Sequence, residues 1–237
     1  MPIRGVVFDL DDTLFDYAGA ARQGFRSWLA TLGPTPLHPD ESETLWVALE
    51  ERHYQRYLDG LIPYAEKRRA RLREFWHALG RQEPLSDPDV DEAFADYLAA
   101  YTRAWRAHAD ALPTLKRVQR AGLAVAVLTN GDQRQQEAKL RATGLIGACG
   151  PVFASSGIGA AKPSATAYAA VSDALGLPAD ELLMVGDNPV ADVEGARAAG
   201  WKAVHLDRQL GRHLDGQLHR AGSIGTDTIA SLADLAW

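Results

Sequence analysis

The spacing of hydrophobic and polar positions changes twice along this chain. Ile3 to Phe8 is a short, mostly apolar run with β-branched residues that ends in acids. It predicts a buried strand whose carboxyl end carries polar groups. After Leu14 the period becomes helical. Residues 16–107 show almost no strand signal and predict helices near 17–32, 41–59, 64–80 and 88–107, separated by Gly, Pro and Ser. Trp28, Trp46, Trp76 and Trp105 all fall in this stretch, which points to a helical subdomain with its own small core. From about 112 the chain alternates. A helix near 112–121 leads to a strand at Leu123–Leu128, a helix near 133–143 and a strand around Pro151–Ala154. A helix near 164–176, a strand at Leu182–Val185, a helix near 189–199 and a strand at Ala203–Leu206 follow. Such βαβ alternation predicts an α/β fold, a parallel sheet with helices on both faces. The first strand cannot be stable alone and joins that sheet. The expected division is therefore a core of 1–15 and 108–237, interrupted by a helical insertion of 16–107. The stretch from about 209 to 222, with His213 and His219, has poor periodicity and is expected to be a solvated surface loop.

Composition narrows the picture. The 237 residues are 46% hydrophobic and 24% charged, an ordinary balance for a globular protein. A net charge of −6 argues against a general nucleic-acid binder. Cys149 is the single cysteine, so neither an internal disulfide nor a cysteine zinc cluster can form, and a small packed residue is expected there. No apolar run is long enough to cross a bilayer, and the first residues lack the features of a signal peptide. A cytoplasmic protein without membrane or nucleic-acid partners is expected, as monomer or homodimer.

Candidate chemistry collects at strand ends, where open parallel sheets bind ligands. The first strand ends in Asp9-Leu10-Asp11-Asp12-Thr13. Side chains two apart in an extended segment point the same way, so Asp9 and Asp11 face one site, where their repulsion calls for a cation or a proton. Thr129-Asn130-Gly131 follows an apolar strand; alone it reads as a turn with a helix cap, or as an anion site at a helix start. Lys162-Pro163 precedes a helix, and alone reads as a surface lysine. Gly186-Asp187 ends another strand, with Asp192 five residues on; these acids either complement a helix dipole or hold a hard cation. Each modest reading stands singly, but four such features in this order at four strand ends are not chance.

As a set these motifs resemble the haloacid dehalogenase superfamily, in particular its phosphatases. That resemblance implies a Rossmann-like core with an inserted α-helical cap, a Mg2+ cofactor and a small phosphorylated metabolite as substrate. It assigns Asp9 as nucleophile and Asp11 as general acid and base. Asp9, the Asp11 carbonyl and Asp187 would hold the metal. Thr129, Lys162 and the backbone N–H of Asn130 would bind the phosphoryl group, and Asp192 would orient Lys162 or a metal-bound water. An acid often found shortly before the lysine is absent, since Ser156-Gly157-Ile158-Gly159 stands there.

In the third insertion helix, Arg68 is expected amid the apolar stripe of Tyr64, Ala65, Leu72, Phe75, Trp76 and Leu79, with Arg71 at its edge. A buried arginine needs an anionic partner. That partner is either an acid of the insertion or a substrate in the active-site cleft. Arg68 and Arg71 resemble an Arg-x-x-Arg pattern in some capped phosphatases. The competing functions are a phosphomutase, a 2-haloacid dehalogenase and a catalytically silent binding protein. Asp11 speaks against the dehalogenase, since a halide leaves without a proton.

Overall fold

The computed structural model describes residues 1–81, 86–210 and 228–237. The stretch 211–227 lies outside them, and with it His213, His219 and most of the expected surface loop. The described chain divides into two units, an α/β unit of Met1–Tyr17 and Trp105–Trp237 and a helical unit of Ala18–Ala104.

The α/β unit is built on six parallel strands. They are β1 (Gly5–Phe8), β2 (Ala124–Thr129), β3 (Val152–Ala154), β4 (Leu182–Gly186), β5 (Lys202–Leu206) and β6 (Thr228–Ile229), in the spatial order β3-β2-β1-β4-β5-β6. Strand β1 lies between β2 and β4, pairing Val7 with Ala126 on one side and Met184 on the other. Its four residues are all buried, which is why they are apolar or glycine without alternation. Burying each such aliphatic side chain contributes roughly 1.5–3 kcal/mol. Strand order reverses beside β1, between the outward runs toward β3 and β6. The loops leaving β1, β2 and β4 therefore diverge at one edge and leave a crevice.

Helices cover both faces. Val7, Ala126, Leu128 and Met184 pack on one face with Tyr168 and Val171 of the helix Ala165–Leu175 and with Trp201. Their neighbours Val6, Phe8, Val125 and Val127 point to the other face and are equally buried. The strands expected from the sequence all form. The structure adds β6, too short for any periodicity to announce. It also divides the expected helix near 189–199 into a π-helical turn, Pro189–Glu194, and a short helix, Gly195–Ala198.

The helical unit contains most of α1 (Tyr17–Leu29), then α2 (Pro39–Leu58), α3 (Tyr64–Ala78) and α4 (Asp87–Arg103). Capping boxes start α2 at His38 and α4 at Ser86, each followed by a proline in the first turn. The centre is aromatic. The Trp46 ring centre lies 5.2, 5.1 and 4.9 Å from those of Trp28, Phe75 and Tyr97. Trp105, expected in this core, instead sits in the α/β unit with its ring edge-on to Phe15 at 6.0 Å.

Helix α3 corrects the expected stripe. Its buried positions are Arg71, Leu72 and Phe75, followed by Leu79 at its C-cap, and Ala65 is exposed. Arg71 is the buried arginine. Its guanidinium lies 3.7 Å from the centre of the Trp46 ring, donates to Trp46 O at 3.0 and 3.2 Å, and pairs with Glu50. Arg68 is half-buried, 5.5 Å from the Phe94 ring centre. The aromatic cluster turns the Arg71 side of α3 inward because a guanidinium stacks on ring faces, while Glu50 and Trp46 O satisfy its donors. Arg71→Ala is therefore expected to lower stability by about 1.5–3 kcal/mol, measured by urea denaturation followed through tryptophan fluorescence.

Candidate active site

The remaining helices of the α/β unit are α5 (Ala111–Arg120), α6 (Gln133–Ala142), α7 (Ser155–Ile158), α8 (Ala165–Leu175) and α9 (Gly195–Ala198). At the end of β1 the Asp9 amide still donates to Val185 O of β4 at 2.9 Å, so Asp9 leaves the sheet from its centre. The chain then folds back tightly. Leu10 O accepts from the amides of Thr13, Leu14 and Phe15 at 3.3, 2.9 and 2.9 Å. Asp12 takes the left-handed conformation, φ 58°, which aspartate tolerates better than most residues. Arg208 braces the turn from β5's end, donating to Asp12 O at 3.1 Å and Thr13 O at 2.6 Å while pairing with Asp110 at 3.0 Å.

Asp9 is buried beside Lys162. The lysine Nζ lies 2.6 Å from Asp9 Oδ1 and 2.6 Å from Asp192 Oδ1, and all three side chains are under a tenth exposed. The second Asp192 oxygen accepts from the Asn188 amide at 3.0 Å. The π-helical turn brings Asp192 back against the end of β4. A Cβ on Gly186 would stand 2.2 Å from its carboxylate, so only glycine fits before Asp187. Tyr168 donates to Ala191 O and closes the floor of this turn.

The charges do not balance. Asp9, Asp187 and Asp192 bring carboxylate oxygens within 4.8 Å of one another, around a single ammonium. Burial first, and then the charges of Asp192 and Asp187, push the Asp9 carboxyl up to about 8 against the pull of Lys162. Burial, with Asp192 and Asp12, likewise raises Asp187 to about 6. Burial alone would depress Lys162, but the two carboxylates hold it above its ordinary value. A crowded all-oxygen donor set of this kind fits a hard divalent cation, which would neutralise the surplus carboxylate charge.

The β2 end supplies neutral donors. Thr129 is buried, and Gly131 turns the chain at φ 139°. Asn130 does something the sequence did not suggest. Its side chain donates to Lys162 O at 2.9 Å and accepts from the Lys162 amide at 2.8 Å, clasping the two loops together. Helix α6 then adds two further residues. Gln136 Nε2 donates to Thr129 Oγ1 at 2.8 Å and Asp11 Oδ2 at 3.0 Å. Lys139 Nζ reaches both Asp11 oxygens, at 2.6 and 2.8 Å. Asp9, Asp11, Thr129, Asn130, Lys162, Asp187 and Asp192 thus gather at one sheet edge. Arg68 and Arg71 belong to the helical unit, where Arg71 is held by its own neighbours.

Fold and site together define a hydrolase of the parallel-sheet α/β class, with a buried aspartate and lysine at the strand ends. The chain belongs to the haloacid dehalogenase-like hydrolases, whose family model matches residues 3–200. It is 34% identical over 231 residues to a phosphatase of Mycobacterium tuberculosis, covering 95% of this chain and 96% of that one. It is 33% identical to the phosphoserine phosphatase of Thermus thermophilus, covering 78% of this chain and 70% of the relative. Among solved structures, the HAD-hydrolase YfnB of Bacillus subtilis bound to magnesium superposes with a TM-score of 0.75. It is 19% identical, covering 99% of this chain and 97% of that one. The L-2-haloacid dehalogenase of Xanthobacter autotrophicus superposes at 0.66 with 25% identity, covering 98% and 96%. Among the described residues no helix is long and apolar enough to cross a membrane.

Replacing Lys162 by Met leaves the buried Asp9 and Asp192 without their shared cation. The expected cost is about 3–5 kcal/mol. Without that ammonium the Asp9 carboxyl, already up to about 8, would be raised further, and a raised carboxyl opposes folding above its ordinary value and stops doing so once protonated. Because Asp9 of the parent is itself protonated below about 8, the two proteins diverge above that value, and urea denaturation should show a larger deficit for Lys162→Met at about pH 9 than at about pH 6.

Proposed function

We propose that this chain is a magnesium-dependent phosphomonoesterase. Its substrate is a small phosphorylated metabolite of the nucleotide, sugar-phosphate or organic-acid phosphate kind. The Asp9 carboxylate attacks phosphorus in line and the bond to the leaving oxygen breaks, giving an aspartyl-phosphate. Asp11 passes its proton to the departing alkoxide. Water then attacks the aspartyl-phosphate while Asp11 takes up a proton, and inorganic phosphate leaves with Asp9 restored. Lys162 holds Asp9 and the transferring group. Thr129, whose oxygen accepts from Gln136, would turn its hydroxyl from a long contact with the Asn130 carbonyl to a phosphoryl oxygen, beside the Asn130 amide.

Asp9 and Asp187, with the Asp11 carbonyl, would hold Mg2+. When bound, the ion supplies Lewis-acid neutralisation of phosphoryl oxygen charge. Asp192 is spent on Lys162 and the Asn188 amide, which supports its role in orienting the lysine.

The observation that carries phosphate over halide is Asp11, a carboxylate held by two side chains at the mouth of the nucleophile's strand. A halide needs no proton to leave, so a dehalogenase has no use for that group. The relatives' names support the substrate class. They include phosphoserine phosphatase, N-acylneuraminate-9-phosphatase and glyceraldehyde 3-phosphate phosphatase, and so span several small phosphate esters.

A panel of phosphorylated metabolites with magnesium tests the reading. Turnover is expected to vanish with excess chelator and to return with added magnesium; full activity in chelator would overturn the metal assignment. Calcium should inhibit, because it favours more ligands and a looser geometry. Asp9→Asn is expected to abolish turnover and phosphoryl trapping. Asp11→Asn should slow alkyl phosphates more than aryl phosphates, by a share of the roughly 10²–10⁴-fold that general acid–base catalysis contributes. Equal slowing of both, with chemistry limiting, would remove Asp11 from that role.

A further inference from the structure

Helix α6 presents Gln136 and Lys139, three residues apart and hence on one face, to the Asp11 carboxylate. Lys139 is more deeply buried than its partner, with 4% of its side chain exposed against 30% for Asp11. Its ammonium also lies 5.1 Å from the Phe15 ring centre and 5.4 Å from that of Tyr17. A lysine withdrawn this far from water needs compensation from a charged partner and from ring faces, and here both converge on the side chain proposed to move the proton. Gln136 ties that side chain to a second functional group. One amide nitrogen touches Asp11 Oδ2 and Thr129 Oγ1, at 3.0 and 2.8 Å. Lys162 is already taken by Asp9 and Asp192, so the site uses one ammonium for the nucleophile and another for Asp11.

We infer that Lys139 and Gln136 are positioning residues for Asp11. Without them a partly exposed carboxylate at a turn would sample several rotamers. With an ammonium across both oxygens and an amide on one, it keeps one orientation and a fixed offset from the hydroxyl that anchors the phosphoryl group. A proton donor misplaced by about an ångström costs up to roughly 100-fold in rate. The inference rests on the phosphomonoesterase reading for its consequence, though not for the contact itself.

The test compares Lys139→Met, Lys139→Arg and Gln136→Leu in the full chain with magnesium, on an alkyl phosphate and on p-nitrophenyl phosphate. Lys139→Met is expected to lower kcat for the alkyl ester by about 10- to 100-fold and to affect the aryl ester much less. KM should stay near the parent value, because phosphate is held by other groups. Lys139→Arg should recover much of the loss and Gln136→Leu should share its pattern. Equal losses on both esters, or a raised KM at unchanged kcat, would overturn the inference. A double-mutant cycle of Asp11→Asn and Lys139→Met, read by urea midpoints without substrate, tests the contact independently of activity. Non-additive midpoints are expected, and additive ones would overturn it. A parent protein that hydrolyses no phosphate ester would remove the functional reading alone, and the cycle would still decide whether the bracket exists.

Discussion

The α/β unit is organised around an electrostatic conflict. Asp9, Asp187 and Asp192 crowd their oxygens together at the end of a sheet where water is scarce, and such a group is unstable unless positive charge is held among them. Lys162 supplies it for two of them from a single Nζ, which places the ammonium within 2.6 Å of each. That demand sets much of the local chain. Gly186 lacks a side chain so that Asp192 can approach, and a π-helical turn bends Asp192 back. The Asn130 clasp then fixes the lysine's own backbone. Remaining negative charge makes the place suited to a cation and, through it, to a phosphoryl group.

The sheet contributes direction more than ligands. Parallel strands release all their carboxyl ends at one edge, and the reversal of strand order beside β1 opens room there. Three loops that are far apart in sequence therefore deliver an acid, a hydroxyl and a second acid to one place. The lysine arrives from the segment between β3 and α8. The helical unit is a separate solution to a separate problem, an aromatic core with one arginine sealed inside it.

Much of this was legible in the sequence because strand ends convert order along the chain into position in space. An apolar run followed by Asp, Thr or Gly-Asp announces both a strand and what it displays. Side chains on helices are less legible. Lys139 lies in a helix whose residues are mostly polar and look solvated, and its partner is 128 positions away. Arg68 and Arg71 differ by only three positions on α3. Helical angle alone chose the wrong one as buried, because it cannot foresee that Trp46 offers a ring face and a carbonyl to Arg71. Trp105 followed a helical stretch in sequence but packs on Phe15, a contact local spacing cannot express. Strand β6 has two residues, fewer than any alternation needs.

The clasp between Asn130 and Lys162 bears on how the protein ages. Asn130 precedes Gly131, and an Asn-Gly pair is a weak point of polypeptides, since the unshielded glycine nitrogen can attack the side-chain amide and release ammonia. Here that nitrogen donates to Ser155 Oγ at 2.9 Å, and both ends of the Asn130 amide are engaged by Lys162. The bonds that assemble the site also restrain the reaction that would erode it. A molecule in which Asn130 had become aspartate would turn an oxygen toward the Lys162 carbonyl where a donor belongs, and the two loops would come unlatched. The working lifetime of the protein is thus written into the same few hydrogen bonds as its geometry.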